Sequence, residues 1–330
     1  MKFRTPVEIN PRNFGLSHST QTLMLGSCFT ENVGRKLQYY KIPAMINPFG
    51  VLYNPFSIKN ALEILTGKQH FTEDILGEYN NKWFSFYHDT SFSAPDKREV
   101  HEKIESKKRE ATDYLKETGL LFITFGTSWA FRHIEKDVIV ANCHKLPSGN
   151  FQRELLSPEN IIGHYLELIK EIYQINPKVQ IIFTVSPIRH WRDGAVENQL
   201  SKAILIYSIH KIIEHYPEID YFPSYEIVMD ELRDYRFYAK DMIHLNETAI
   251  EYIWERFSET YIAETSHKLM KEVEKMQKAK NHRPFSPNSD EYQKFLNEQI
   301  KKIKELEEGH PALDFSEELE YFRRNLYTGK

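Results

Sequence analysis

The sequence predicts a doubly wound α/β protein on a mostly parallel five-stranded sheet, and two observations carry that prediction. Short apolar runs at Thr22–Gly26, Ile42–Ile46, Leu120–Phe125, Val179–Val185 and Ile219–Phe222 alternate with segments of helical periodicity. The two longest, LLFITF and VQIIFTV, are apolar at nearly every position instead of at alternate ones, as strands covered on both faces require.

Composition sets the outer limits. The chain has 330 residues, 41% hydrophobic and 27% charged, enough for a buried core. Lys and Arg number 43 against 47 Asp and Glu, and a net charge of −4 gives no global attraction for nucleic acid or a lipid surface. The expected partner is a small molecule or a protein. Cys28 and Cys143 are too few for a disulfide framework, and Lys2 and Arg4 are not followed by the apolar stretch of a secretion signal. No apolar run approaches the roughly 18 residues of a membrane span. A cytoplasmic location is therefore expected.

The elements follow in order. Thr22–Gly26 ends in Gly-Ser and passes directly into a helical segment, Phe29–Tyr40. The second run stops at Asn47-Pro48-Phe49-Gly50, where Pro and Gly force an irregular loop. Ser57 reads as the cap of a helix to Leu65, closed by Gly67. Residues 78–96 carry aromatic residues without helical spacing and read as extended or as a loop over the core. The charged stretch Asp96–Thr118 reads as a surface helix ended by Gly119, and a hairpin is expected over Ala130–Ile134 and Val138–Ala141. Ser157-Pro158-Glu159 opens a helix with a cap and a first-position proline, and a further helix runs from Glu197 to His215. Asn246 starts a long helix. Past Thr265 the chain becomes strongly charged, with Tyr292, Leu296, Ile303 and Leu306 striping one further helix. The expected division is 1–264 for the α/β domain and 265–330 for a helical extension, which either self-associates or folds back.

Ligands of an open parallel sheet bind beyond the carboxyl ends of its strands, so the polar clusters placed there are the candidates. They are Gly26-Ser27-Cys28-Phe29, Asn47–Gly50, Gly126-Thr127-Ser128, Ser186–His190 and the later Asp241–His244. Ser27 lies at a strand-to-helix turn, a position suited to a nucleophile, though Gly-Ser by itself reads more readily as a turn and helix cap. Asp241 and His244 are spaced so that the carboxylate can orient the imidazole and the imidazole can take a hydroxyl proton. Arg189, His190 and His144 either bind a substrate oxygen or brace the loops. Zinc held by Cys28, Cys143, His144 and His190 lacks the usual Cys-x-x-Cys pairing, so no metal is expected. A thiolate nucleophile at Cys28 is the other minor reading. The runs Tyr221–Glu226 and Leu232–Tyr238 suit internal pairing of Arg and Asp better than a stacking platform.

Gly26-Ser27-Cys28-Phe29-Thr30 resembles the signature of the GSCFA family, departing only at Thr30. Asn47–Gly50, Tyr53-Asn54-Pro55, Asn142–Lys145, Ser186-Pro187 with Arg189-His190, the two aromatic runs, and Asp241 with His244 extend the resemblance over about residues 20–260. That family is similar to the SGNH, or GDSL-like, hydrolases, which implies a flavodoxin-like three-layer α/β/α sandwich. The resemblance implies Ser27 as nucleophile, His244 as its base and Asp241 as the orienting acid, without a cofactor. It implies an oxyanion hole from the Ser27 and Gly50 amides. The third donor, an Asn in a Gly-x-Asn-Asp block, is replaced here by Gly126-Thr127-Ser128-Trp129, which leaves Ser128 or Asn142 to substitute. The expected activity is hydrolysis of a small ester, an O-acylated carbohydrate by analogy. The alternatives are a silent binding module on the same fold and an O-acyltransferase.

Overall fold

The computed structural model describes residues 5–10, 14–69 and 72–326. In chain order these form β1 (Thr22–Gly26), α1 (Cys28–Tyr39), β2 (Ala44–Ile46), α2 (Pro55–Thr66), β3 (Leu76–Tyr79), β4 (Lys82–Ser85), α3 (Lys97–Glu117) and β5 (Leu120–Phe125). There follow β6 (Trp129–His133), β7 (Val138–Val140), β8 (Phe151–Leu155), α4 (Pro158–Ile175), β9 (Gln180–Val185), α5 (Gly194–His215), β10 (Asp220–Phe222) and the single turn α6 (Ser224–Glu226). The chain ends in α7 (Glu247–Tyr261), α8 (Glu264–Lys280), α9 (Asp290–Gly309) and α10 (Ser316–Arg324).

The five strands expected from the sequence pair in parallel in the order β2-β1-β5-β9-β10. This is the flavodoxin-like order, and the strand sequence reverses between β1 and β5. The two-residue period of each strand divides its side chains between two cores. Leu23, Leu25, Leu121, Ile123, Phe183 and Val185 join the apolar stripes of α2, α3, α4 and α5. Met24, Leu120, Phe122 and Ile182 join α1 and α7 through Phe29, Val33, Ile253 and Phe257. Three layers result because both faces of the strands are apolar and each needs a cover.

Local chemistry corrects several boundaries. The cap of α2 is Asn54, not Ser57: Asn54 Oδ1 accepts from the Ser57 amide at 2.8 Å, and Pro55 takes the first helical position. Part of the aromatic stretch 78–96 is the antiparallel hairpin β3–β4. The expected hairpin β6–β7 gains a third strand, β8, on the other side of β6. Polar side chains hide β8 in the sequence, and they pair across the ladder: Arg132 meets both oxygens of Glu154 at 3.0 Å. The tail holds three helices instead of one stripe. Leu269, Val273, Leu296, Ile303, Phe315 and Phe322 gather into a separate core for α8–α10. The tail is tied back where Lys41 pairs with the buried Glu318 at 2.8 Å. Among the described residues no helix is long and apolar enough to cross a membrane.

Candidate active site

Ser27 sits where β1 turns into α1, beside the point of strand reversal. Gly26 has φ +144°, and a Cβ there would lie 2.3 Å from the Thr124 carbonyl oxygen, so the turn requires glycine. Ser27 then caps α1: its Oγ accepts from the Phe29 amide at 3.3 Å, and the residue is 1% exposed. Asn47 supports the turn from β2 by accepting from the Gly26 amide at 2.9 Å. Gly126, at the end of β5, passes so close that a Cβ would stand 3.4 Å from the Ser27 Cβ. The Gly126 and Thr127 amides both donate to the Tyr53 carbonyl, at 2.8 and 3.0 Å. The loop after β2 and the loop after β5 therefore brace each other over Ser27.

Asp241 and His244 form a pair as expected. His244 Nδ1 lies 2.6 Å from Asp241 Oδ2, while Asp241 Oδ1 accepts from the Ile243 and His244 amides at 3.0 and 2.9 Å. These bonds, the imidazole first, hold the Asp241 carboxyl down to about 2. The tether fixes the ring with Nδ1 committed and Nε2 as the nitrogen free to exchange a proton. The pair precedes α7, which runs alongside α1 in the same direction: Lys36 pairs with Glu251, Tyr40 stacks on Trp254, and the end of α7 bonds Leu16 before β1. Both helices consequently start at the carboxyl edge of the sheet. Ser27 and His244 share that edge without a direct hydrogen bond, and the His244 side chain is 57% exposed.

Arg189 and His190 follow β9 at the same edge. The His190 ring stands edge-on to Tyr53 with centroids 5.4 Å apart, and burial, helped by Lys202, pushes its pKa down to about 4. It is a neutral imidazole at pH 7. Arg189 donates from Nη2 to Met229 Sδ at 3.3 Å, while its Nε is buried without a partner. Together with Met229, Tyr235, Tyr238, Asp241 and Met242 it lines a cleft of about 410 Å³.

Lys202 of α5 is the residue sequence reasoning missed. Fully buried, its Nζ donates to the Gly126 carbonyl at 2.7 Å and to the Ser186 carbonyl at 2.6 Å, joining the ends of β5 and β9. Burial pushes its pKa down to about 7. A signal did exist: the buried stripe Leu205, Ile209, Ile212, followed back by helical spacing, falls on Asn198, Ser201 and Lys202, all buried.

Residues 21–257 match the sequence profile of the GSCFA family, and residues 273–328 match that of the GSCFA domain protein C-terminal domain. The chain belongs to the GSCFA family. Among solved structures, the chain is similar to a carbohydrate esterase family 3 protein from Talaromyces cellulolyticus at 9% identity, with 78% of this chain and 99% of that one covered and a TM-score of 0.36. It is also similar to an acetyl xylan esterase from the rumen bacterium Butyrivibrio proteoclasticus at 10% identity, with coverages of 75% and 64% and a TM-score of 0.35. No curated protein sequence matches.

The remaining expected site residues of this GSCFA chain are committed elsewhere. The Gly50 amide donates to the Asn47 carbonyl at 2.8 Å, and the Asp89 carboxylate packs against the face of Gly50 where a side chain would stand. Ser128 is buried with its amide and its hydroxyl both bonded to Ser201, at 2.8 and 3.3 Å. Asn142 Oδ1 accepts from the His144 amide at 2.7 Å. His144 donates from Nε2 to the Ser85 carbonyl at 2.9 Å and stacks on Phe84 with centroids 4.2 Å apart, beside Cys143 in the cluster under the β3–β4 hairpin. It braces that hairpin and is separate from Arg189 and His190. Cys28 stays at α1, and burial pushes its thiol pKa up, away from a thiolate. In the aromatic runs, Tyr221 donates to Glu226 at 2.9 Å, and Arg233 pairs with Asp230 at 2.6 Å.

Proposed function

We propose that this GSCFA protein is a serine hydrolase acting on a small ester, an O-acylated carbohydrate by preference. Ser27 attacks the acyl carbonyl, His244 Nε2 takes its proton and returns it to the leaving alcohol, and Asp241 holds the imidazole and stabilises its cationic form. The observation that carries the reading is the 2.6 Å Asp241–His244 bond at the same sheet edge as a serine that opens a helix. In the reactive conformation the Ser27 hydroxyl turns from the Phe29 amide toward His244. The first-turn amides of α1, at Ser27 and Cys28, then take the oxyanion, since Gly50 and Ser128 have spent their amides. Hydrolysis of short-chain aryl acetates by native protein and Ser27→Ala tests this. A fall in kcat/KM of about 10³-fold or more is expected, and equal rates remove Ser27 from the mechanism.

Two observations favour a second reading, a binding module without turnover: Ser27 is 1% exposed, and the substitute donor Ser128 has its amide and hydroxyl both bonded. That reading predicts ligand-dependent thermal stabilisation with no ester turnover.

A further inference from the structure

Arg189 is a cation without a counter-charge. Other half-buried arginines pair with carboxylates, Arg132 with Glu154 and Arg256 with Glu231. Among the described residues Arg189 meets no acid: Nη2 reaches only the Met229 sulfur, and Nε is buried and unpartnered. Its charged neighbour is another cation, Lys202, itself bonded only to carbonyls. Leaving guanidinium donors unsatisfied in a half-dry place is costly unless an anion completes them.

The cleft beside Arg189 is shaped for such an anion. At about 410 Å³ it holds one ring-sized unit, and Trp191 and Tyr235 present open aromatic faces on its wall. Its two acids do not compete for Arg189. Asp241 is engaged by His244 and two amides, and Asp234 accepts from the Arg236 amide at 2.8 Å with the Arg236 guanidinium nearby. The other arginine of the cleft, Arg233, already pairs with Asp230. A single guanidinium charge whose hydrogen-bond partner is a thioether suits a planar monoanion, a carboxylate, better than a phosphate dianion.

We propose that Arg189 binds the carboxylate of an acidic sugar unit in this cleft, so that the substrate is an O-acylated uronate. The class of ester rests on the hydrolase reading above; the anion site does not. Calorimetry with glucuronate, its uncharged isostere glucuronamide and glucose 6-phosphate tests the site without any turnover. Native protein is expected to bind glucuronate about tenfold or more tightly than glucuronamide, and Arg189→Met to lose that difference while still melting cooperatively. Arg189→Lys, which keeps a charge without the fork, is expected to fall between the two. Equal affinity for acid and amide, a preference that survives Arg189→Met, tighter binding of the phosphate, or no glucuronate binding at millimolar concentration overturns the proposal. Ser27→Ala is expected to bind glucuronate like native protein. Glucuronate binding with no ester turnover would sink the hydrolase reading and leave the anion site standing.

Discussion

At the scale of single residues, the carboxyl edge of the sheet holds basic groups whose protonated forms burial disfavours. Burial pushes His190 down to about 4 and Lys202 down to about 7. In both cases the unfolded chain binds more protons than the folded one, between about pH 4 and 6.5 for His190 and between about 7 and 10.5 for Lys202. Stability therefore rises with pH through each window. For Lys202 the cost of burying an ammonium is present in full below pH 7 and fades toward pH 10.5. Melting temperatures of native protein and Lys202→Met, taken across this range, are expected to diverge as pH rises, with native gaining several degrees relative to the variant. A constant difference would mean that Lys202 keeps its charge in the folded protein throughout the range. The sequence displayed Ser27, Asp241 and His244 through their spacing and motifs. Lys202 escaped because an isolated lysine in a helix ordinarily reads as surface, and only the continuation of the apolar stripe shows otherwise.

At the scale of elements, the parallel strands were legible because burial on both faces makes them apolar at every position. Strand β8 was not, because Gln152, Arg153 and Glu154 alternate with nothing that marks a core, and its place comes from cross-strand pairing. The start of α2 lies three residues before the cap expected at Ser57, since Asn54 and Ser57 are both good capping types. The proline between them decides it, because Pro55 fits the first helical turn and the Asn54 side chain reaches the Ser57 amide. Asn54→Ala is accordingly expected to cost about 1 kcal/mol, read in urea denaturation as a lower midpoint at unchanged slope. Ser57→Ala leaves that cap bond intact, because Ser57 contributes its backbone amide to it; a larger loss there than at Asn54 would return the cap to Ser57. The residue also donates its hydroxyl to the Val140 carbonyl at 3.3 Å, so a smaller loss is expected.

At the scale of the whole molecule, the strand order β2-β1-β5-β9-β10 brings distant stretches of sequence to one edge of the sheet. The strand order reverses between β1 and β5, Ser27 and Gly126 stand together at that point, and the parallel descent of α1 and α7 brings residue 244 back to the edge that residue 27 occupies. Strand and helix runs in the sequence define this architecture well, but they do not define how the connecting loops spend their donors. Gly50 and Ser128 stood at the right ends of the right strands, and turn geometry and Ser201 claimed their amides. The helical tail was visible as charge with one apolar stripe, while its packing into α8, α9 and α10 depended on contacts between helices that no single stripe reveals. The central claim is that the Ser27 hydroxyl is activated by His244, and reaction with a fluorophosphonate, followed by intact mass and peptide mapping, tests it most directly. The account predicts a single adduct on Ser27, none in Ser27→Ala, and labelling slowed about 10²-fold or more in His244→Asn. An unlabelled native protein, an adduct at another residue, or a rate indifferent to His244 would contradict it.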